Sequence, residues 1–199
     1  MEKTRIFVAI NLPEKIKKKL EETEREIDEL FPDEIKRGLI NWVKKENLHL
    51  TLLFIGWVNT DKIPQASQII REIVKTQAPF SLKIEKLSYG PPKKIPPRLI
   101  WIDIEKKREL LNLAEKLKKE MAKAGILSKI EERAFSPHIT LARIRSFQWR
   151  KMEREERPEI EREIDLNFEV KSIEIMESVL KRTGAEYAVL ESAPLQMVK

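Results

Sequence analysis

Two short stretches of this chain share one form, His49-Leu50-Thr51-Leu52 and His138-Ile139-Thr140-Leu141, and they hold the only two histidines among its 199 residues. Each lies in an apolar run, Leu48 to Val58 and Pro137 to Ile144, that reads as a β-strand. Successive side chains of a strand point to opposite faces. His49 and Thr51 therefore share one face, and Leu50 and Leu52 the other. His138 and Thr140 are divided from Ile139 and Leu141 in the same way. A chain carrying this pattern twice must build a sheet with one face in a core and two His/Thr pairs on the other face.

The surrounding sequence repeats as well. Thr4 to Ile10 is a β-branched run ending near Pro13, which predicts a buried strand. Ile16, Leu20, Ile27 and Leu30 recur at helical spacing over Glu14 to Phe31, with Pro13 suited to a first turn. A second amphipathic helix is expected over Ile63 to Val74 and a strand over Phe80 to Leu87, before the prolines of Pro91 to Pro97 break the pattern. The plan then starts again. Arg98 to Ile104 reads as a strand. Glu105 to Ala124 reads as a helix with Leu110, Leu113, Leu117 and Met121 on one face, ended by Gly125. Pro137 to Ile144, Phe168 to Glu177 and Glu186 to Glu191 read as further strands. Arg5 and Arg98, His49 and His138, and Phe80 and Phe168 are separated by 93, 89 and 88 positions. Such spacing predicts two duplicated lobes related by a pseudo-two-fold, with approximate repeats 4–90 and 98–191 inside one two-lobed domain, 1–199. The charge-dense segment from Gln148 to Asp165 reads as a solvated loop or short helix.

Composition narrows the chemistry. Lys and Arg number 39 against 33 Asp and Glu, a net charge of +6, which favours polyanionic partners such as nucleic acid. The chain has no cysteine, so disulfides, thiol catalysis and Cys-ligated zinc are excluded. No apolar run approaches the roughly 20 residues that span a bilayer, and the N-terminus lacks a signal peptide's pattern. The expectation is a soluble cytoplasmic protein with no membrane partner.

Two imidazoles and two hydroxyls around one cleft suit hydrolysis of a phosphodiester. Attack on phosphorus needs a base for water's proton, and the departing sugar oxygen needs an acid on the opposite side. Histidine can fill either role near neutral pH. Threonine hydroxyls can hold the non-bridging oxygens. Zinc commonly takes three or four His or Cys ligands. With two histidines, no cysteine and no Asp-rich cluster, neither a metal nor any other cofactor is expected. The residues alone leave open which imidazole is acid and which is base.

The chain resembles the two-histidine phosphoesterases, and within them the RNA 2',3'-cyclic phosphodiesterases, also called 2'-5' RNA ligases. The resemblance rests on both His-x-Thr-x motifs and on Arg5 to Pro13, His49 to Gly56, Pro97 to Ile104, Ser136 to Arg143 and Ile173 to Glu191. It implies an α+β, bilobal fold with antiparallel sheets flanked by helices around a central cleft. It implies that His49 protonates the leaving 3'-oxygen and His138 activates water, giving a 2'-phosphate, with reversible 2'-5' joining of RNA ends. Expected partners are RNA ends or cyclic nucleotides, bound by a monomer.

Further residues are candidates for binding. Arg143 lies five positions after His138, so an unbroken strand would turn it to the opposite face; the family often has Arg there, and a bend would bring it to phosphate. Phe135 or Trp42 could stack a terminal base. Lys44, Lys45, Lys93, Lys94, Arg133 and Arg145 could track an RNA backbone. Two other readings fit the same motifs: a non-catalytic module that holds RNA ends, and a hydrolase of a non-RNA cyclic phosphate.

Overall fold

The computed structural model describes residues 2–32, 38–127, 134–181 and 184–196. The strands are β1 (Lys3–Asn11), β2 (Ile40–Trp42), β3 (His49–Asn59), β4 (Phe80–Gly90), β5 (Leu99–Ile104), β6 (His138–Ile144), β7 (Arg162–Val170), β8 (Ser172–Lys181) and β9 (Gly184–Pro194). The helices are α1 (Glu14–Asp28), α2 (Ile63–Val74), α3 (Arg108–Lys123) and α4 (Ser146–Lys151).

Among the described residues, all nine strands join one antiparallel sheet in the order β7-β4-β5-β6-β3-β1-β8-β9, with β2 also paired to β6. At its centre β3 meets β6 through the residue pair Leu50–Ile139. These two residues hold the same place in the two tetrapeptides, so a local two-fold runs between them. Read outward, one half of the sheet is β3, β1, β8, β9 and the other is β6, β5, β4, β7. The third strand of each half is exchanged. β4, from the first half of the chain, stands beside β5, while β8 stands beside β1. The fold is α+β with a large antiparallel sheet, as the sequence led us to expect.

One core lies beneath both halves. Ile6, Val8 and Ile10 of β1, Leu50 and Leu52 of β3, Ile100 and Ile102 of β5, and Ile139 and Leu141 of β6 all point into it. Leu20, Ile70, Leu113 and Leu117 meet them from the helices. Each such side chain contributes about 1.5–3 kcal/mol by leaving water. This packing holds the sheet's apolar face fixed and leaves its other face free for the two His/Thr pairs.

The helix limits follow local chemistry. Pro13 caps α1 in an extended conformation, and its carbonyl accepts from the amides of Ile16 and Lys17. Gly125 takes φ +64 just after α3, where the left-handed conformation lets the Ile126 amide reach back to the carbonyl of Met121. α1 stops at Asp28, short of Phe31, which turns into the core.

Two expectations are corrected. Phe168 to Glu177 is not one strand: β7 ends at Val170 and β8 begins at Ser172. Nor is the stretch from Gln148 to Asp165 simply a solvated loop or helix. Trp149, Met152 and Ile160 are buried, and β7 already begins at Arg162. The Tyr89 hydroxyl donates to the carbonyl of Pro158 and its ring meets Trp149 edge-on, tying the segment down. β7 closes one end of the sheet, where a charged outer face discourages pairing with other chains. Among the described residues, no helix is long and apolar enough to cross a membrane.

Candidate active site

The first residue of β3 is His49 and the first of β6 is His138. Each imidazole is tied to the chain two residues before it. His49 Nδ1 lies 2.6 Å from the carbonyl oxygen of Asn47, and His138 Nδ1 lies 2.8 Å from that of Ser136. A carbonyl only accepts, so each Nδ1 carries a proton and donates it. The tautomer is thereby set, and Nε2 of each ring is left for chemistry. His49 Nε2 is 3.0 Å from Thr51 Oγ1, so the hydroxyl donates to the neutral ring. Thr140 stands two residues after His138, half-buried on the same face.

Aromatic side chains wall both histidines. Phe7 lies 5.0 Å from His49 between ring centroids, and Tyr187 of β9 meets His49 edge-on at 5.2 Å. Asn47 Nδ2 donates to the carbonyl of Ala185, which fastens the β8–β9 hairpin over the turn that orients His49. On the other side Trp101 lies against His138 at 4.3 Å. The indole donates to Ser88 Oγ and fits only because residue 90 is glycine: a Cβ there would come within 2.5 Å of the ring.

Matched bulges re-aim the residues that follow. Ala9 pairs with Thr51 and Val8 with Leu53, so Leu52 is an extra residue in β3. Trp101 pairs with Thr140 and Ile100 with Ala142, so Leu141 is an extra residue in β6. A bulge shifts the alternation by one. Arg143 is thereby brought to the face of His138 and Thr140, where an unbroken strand would have turned it away. Phe54, the residue matching Arg143 in β3, pairs with Phe7 on the face of His49 and Thr51 and is 64% exposed.

Burial holds the proton affinity of both rings below the usual imidazole range. For His49 the bond to Asn47 opposes this, while Lys17, His138 and Arg143 add to it. For His138 the bond to Ser136 and the charge of Asp103 oppose it. Because Leu50 pairs with Ile139, the imidazoles, one residue earlier in β3 and in β6, stand on neighbouring strands.

Three of the remaining candidates have partners of their own. Phe135 is half-buried and packs on the core. Trp42 also packs there, and its indole donates to Asp28 Oδ1 at 2.8 Å. Lys45 is ion-paired with Glu14. Lys44, Lys93, Lys94 and Arg145 are exposed. Arg133 lies outside the described residues. Phe54, Phe7, Tyr187 and Trp101 were missed from the sequence. The signal for Phe54 was present: it follows His49 by five residues, as Arg143 follows His138. Among the described residues, no group of three or more His, Asp or Glu side chains could hold a metal ion.

Two tautomer-fixed imidazoles, each followed two residues later by a threonine on one face of a two-fold sheet, form the candidate site. Residues 10–182 match the model of the 2'-5' RNA ligase superfamily, and the chain belongs to that superfamily. It is 34% identical to an RNA 2',3'-cyclic phosphodiesterase of Thermotoga maritima, over 94% of this chain and 92% of that one. It is 30% identical to the protein of the same description in Aquifex aeolicus, over 96% of this chain and 97% of that one. Among solved structures, E. coli LigT complexed with 3'-AMP superposes with a TM-score of 0.76 at 26% identity, covering 98% of this chain and 100% of that one. A crystal structure from Thermus thermophilus superposes with a TM-score of 0.78 at 28% identity, covering 96% of this chain and 97% of that one.

Proposed function

We propose that this chain hydrolyses the 2',3'-cyclic phosphate ends of RNA to 2'-phosphates, with His49 as proton donor and His138 as proton acceptor. The observation that carries the reading is the pair of Nδ1–carbonyl bonds, which leaves both Nε2 atoms for one cleft. In the forward reaction His138 Nε2 takes a proton from water as the oxygen attacks phosphorus. The bond to the 3'-oxygen breaks on the opposite side, and that oxygen takes the proton of His49. Solvent then resets both rings. Thr51, Thr140 and Arg143 hold the non-bridging oxygens and the charge that builds on them. No step requires a metal or another cofactor.

The description of the relatives as RNA 2',3'-cyclic phosphodiesterases supports the choice of substrate. Run backward, the same chemistry joins RNA ends through a 2'-5' linkage. Hydrolysis prevails in dilute solution, where water far exceeds RNA hydroxyl ends. We read the chain as acting as a cytoplasmic monomer, one two-lobed unit with repeats near 4–90 and 98–191, because one copy supplies every residue of the site.

The test is incubation with RNA ending in a 2',3'-cyclic phosphate, with excess substrate and a chelator present. Multiple turnovers giving a 2'-phosphate are expected, with a bell-shaped pH dependence, since one imidazole must be neutral and the other charged. Binding without turnover would replace this reading with that of an RNA-end-binding module.

A further inference from the structure

The two halves match closely at the catalytic face but differ at one position beside each histidine. In the β1–β3 ladder, His49 is directly opposite Asn11. In the β5–β6 ladder, His138 is directly opposite Asp103. The pairs are equivalent: two residues further along, Ala9 faces Thr51 and Trp101 faces Thr140. Residues directly opposite in an antiparallel ladder share a face, with Cβ atoms about 4.5–5.5 Å apart. A carboxylate therefore stands beside one imidazole and a neutral amide beside the other.

We propose that Asp103 is a positioning residue for His138, stabilising the imidazolium formed when that ring takes a proton from water, and that Asn11 in the matching place leaves His49 without such support. The proposal rests on the phosphodiesterase reading for its catalytic consequence, but the pairing itself does not. It accounts for a division of labour that the motifs alone leave open. A carboxylate beside His138 makes it the stronger base. Burial beside a neutral amide makes His49 the readier donor.

The surroundings of Asp103 agree. It is half-buried, with Trp101 two residues before it on the same face and fixed by Ser88. Burial raises its pKa, and His138, Lys106 and Lys86 act against that rise. Lys86 is also bonded to Glu161, and Lys106 is exposed. Among the described residues, the charges that act on His49 are those of Lys17, His138 and Arg143, all cationic or becoming so, while the Glu174 carboxylate accepts from the Asn11 backbone amide. Among the described residues, Asp103 is the acidic group that acts on His138.

The experiment is an NMR titration of the two imidazoles in the full chain, with signals assigned from His49→Ala and His138→Ala. In Asp103→Asn the His138 midpoint should move to lower pH by about half a unit or more, while His49 stays. In Asn11→Asp the His49 midpoint should rise by a similar amount. Turnover by Asp103→Asn should fall about tenfold, both on a cyclic phosphate with an oxygen leaving group and on its 3'-sulfur analogue, because the base step is common to both. An unmoved His138 midpoint would overturn the proposal, as would a loss that vanishes with the sulfur leaving group. Absent wild-type turnover would sink the phosphodiesterase reading instead, and the titration, which needs no substrate, would still decide the pairing.

Discussion

Phe54 and Arg143 occupy the same place in the two halves of the sheet. Each follows its histidine by five residues and is turned onto the catalytic face by an extra residue, Leu52 in one strand and Leu141 in the other. The cleft is thus two-fold in backbone and unequal in chemistry. One wall offers an exposed aromatic ring and the other a guanidinium. The aromatic wall suits a nucleobase and the cationic wall suits the phosphate.

Replacement of these two residues should have different signatures. Arg143→Ala removes charge from the developing transition state and should lower kcat/KM by about 10²–10³-fold for any cyclic phosphate substrate. Phe54→Ala removes a stacking surface worth about 1–3 kcal/mol and should raise KM about 5- to 100-fold for a cyclic nucleotide. A ribose 2',3'-cyclic phosphate with no base should be indifferent to the Phe54 change. Steady-state kinetics on the two substrates separates the effects; an equal loss on both would remove base stacking from the account.

The roles of the two histidines can be told apart by the leaving group. His49→Ala and His138→Ala should each lower kcat by about 10²–10⁴-fold on the ordinary cyclic phosphate without unfolding the chain. A thiolate leaves without help from an acid. On the 3'-sulfur analogue, His49→Ala should recover most of its rate and His138→Ala should not. Recovery by His138→Ala instead would exchange the assigned roles.

Much of this arrangement is legible in residues alone. Ile63, Ala66, Ile69, Ile70, Ile73 and Val74 mark α2 with its observed limits, because no competing pattern overlaps them. The two tetrapeptides disclose both imidazoles because strand alternation is a local rule. Other features leave weaker marks. In β7 the alternation of Ile164, Leu166 and Phe168 is hidden among charges that an edge strand needs on its outer face. An inserted bulge residue has no compositional mark, so Leu141 looks like one more core residue, and the facing of Arg143 follows only from the ladder. The exchange of β4 and β8 between halves is a long-range pairing that no local pattern specifies. Trp42 and Phe135 suggest a stacking role on composition, and in the fold both are half-buried with one side against the core.

Gly90→Ala should impair the site from a position that touches no substrate. The added Cβ would meet the Trp101 ring at 2.5 Å, and that ring is buried, leaving little room to retreat. The ring must shift, and it backs His138. Overpacking of this kind costs about 1–3 kcal/mol. Activity should fall by more than the loss of folded protein explains, measured as kcat at temperatures where circular dichroism shows the variant fully folded. A variant with lowered stability and unchanged kcat would show that Trp101 packs beside His138 without positioning it.

Glu24 on α1 gives the fold a pH dependence separate from catalysis. It is buried, and its Oε1 has no hydrogen-bond partner among the described residues. Burial, with help from the neighbouring Glu21, pushes its pKa up from 4.5 to about 8. The folded state therefore keeps a proton that the unfolded state gives up. The sign follows: the stability due to the neutral carboxyl is fully present below about pH 4.5 and is lost as pH rises through about 8. Glu24→Gln keeps the shape and cannot ionise. The variant should lie close to the wild type at pH 5 and exceed it at pH 9 by about 1–3 kcal/mol, because only the wild type must then bury an ionised carboxylate or take up a proton to fold. Denaturant unfolding at the two pH values measures this, and parallel decline of both proteins between them would mean that Glu24 ionises in contact with water.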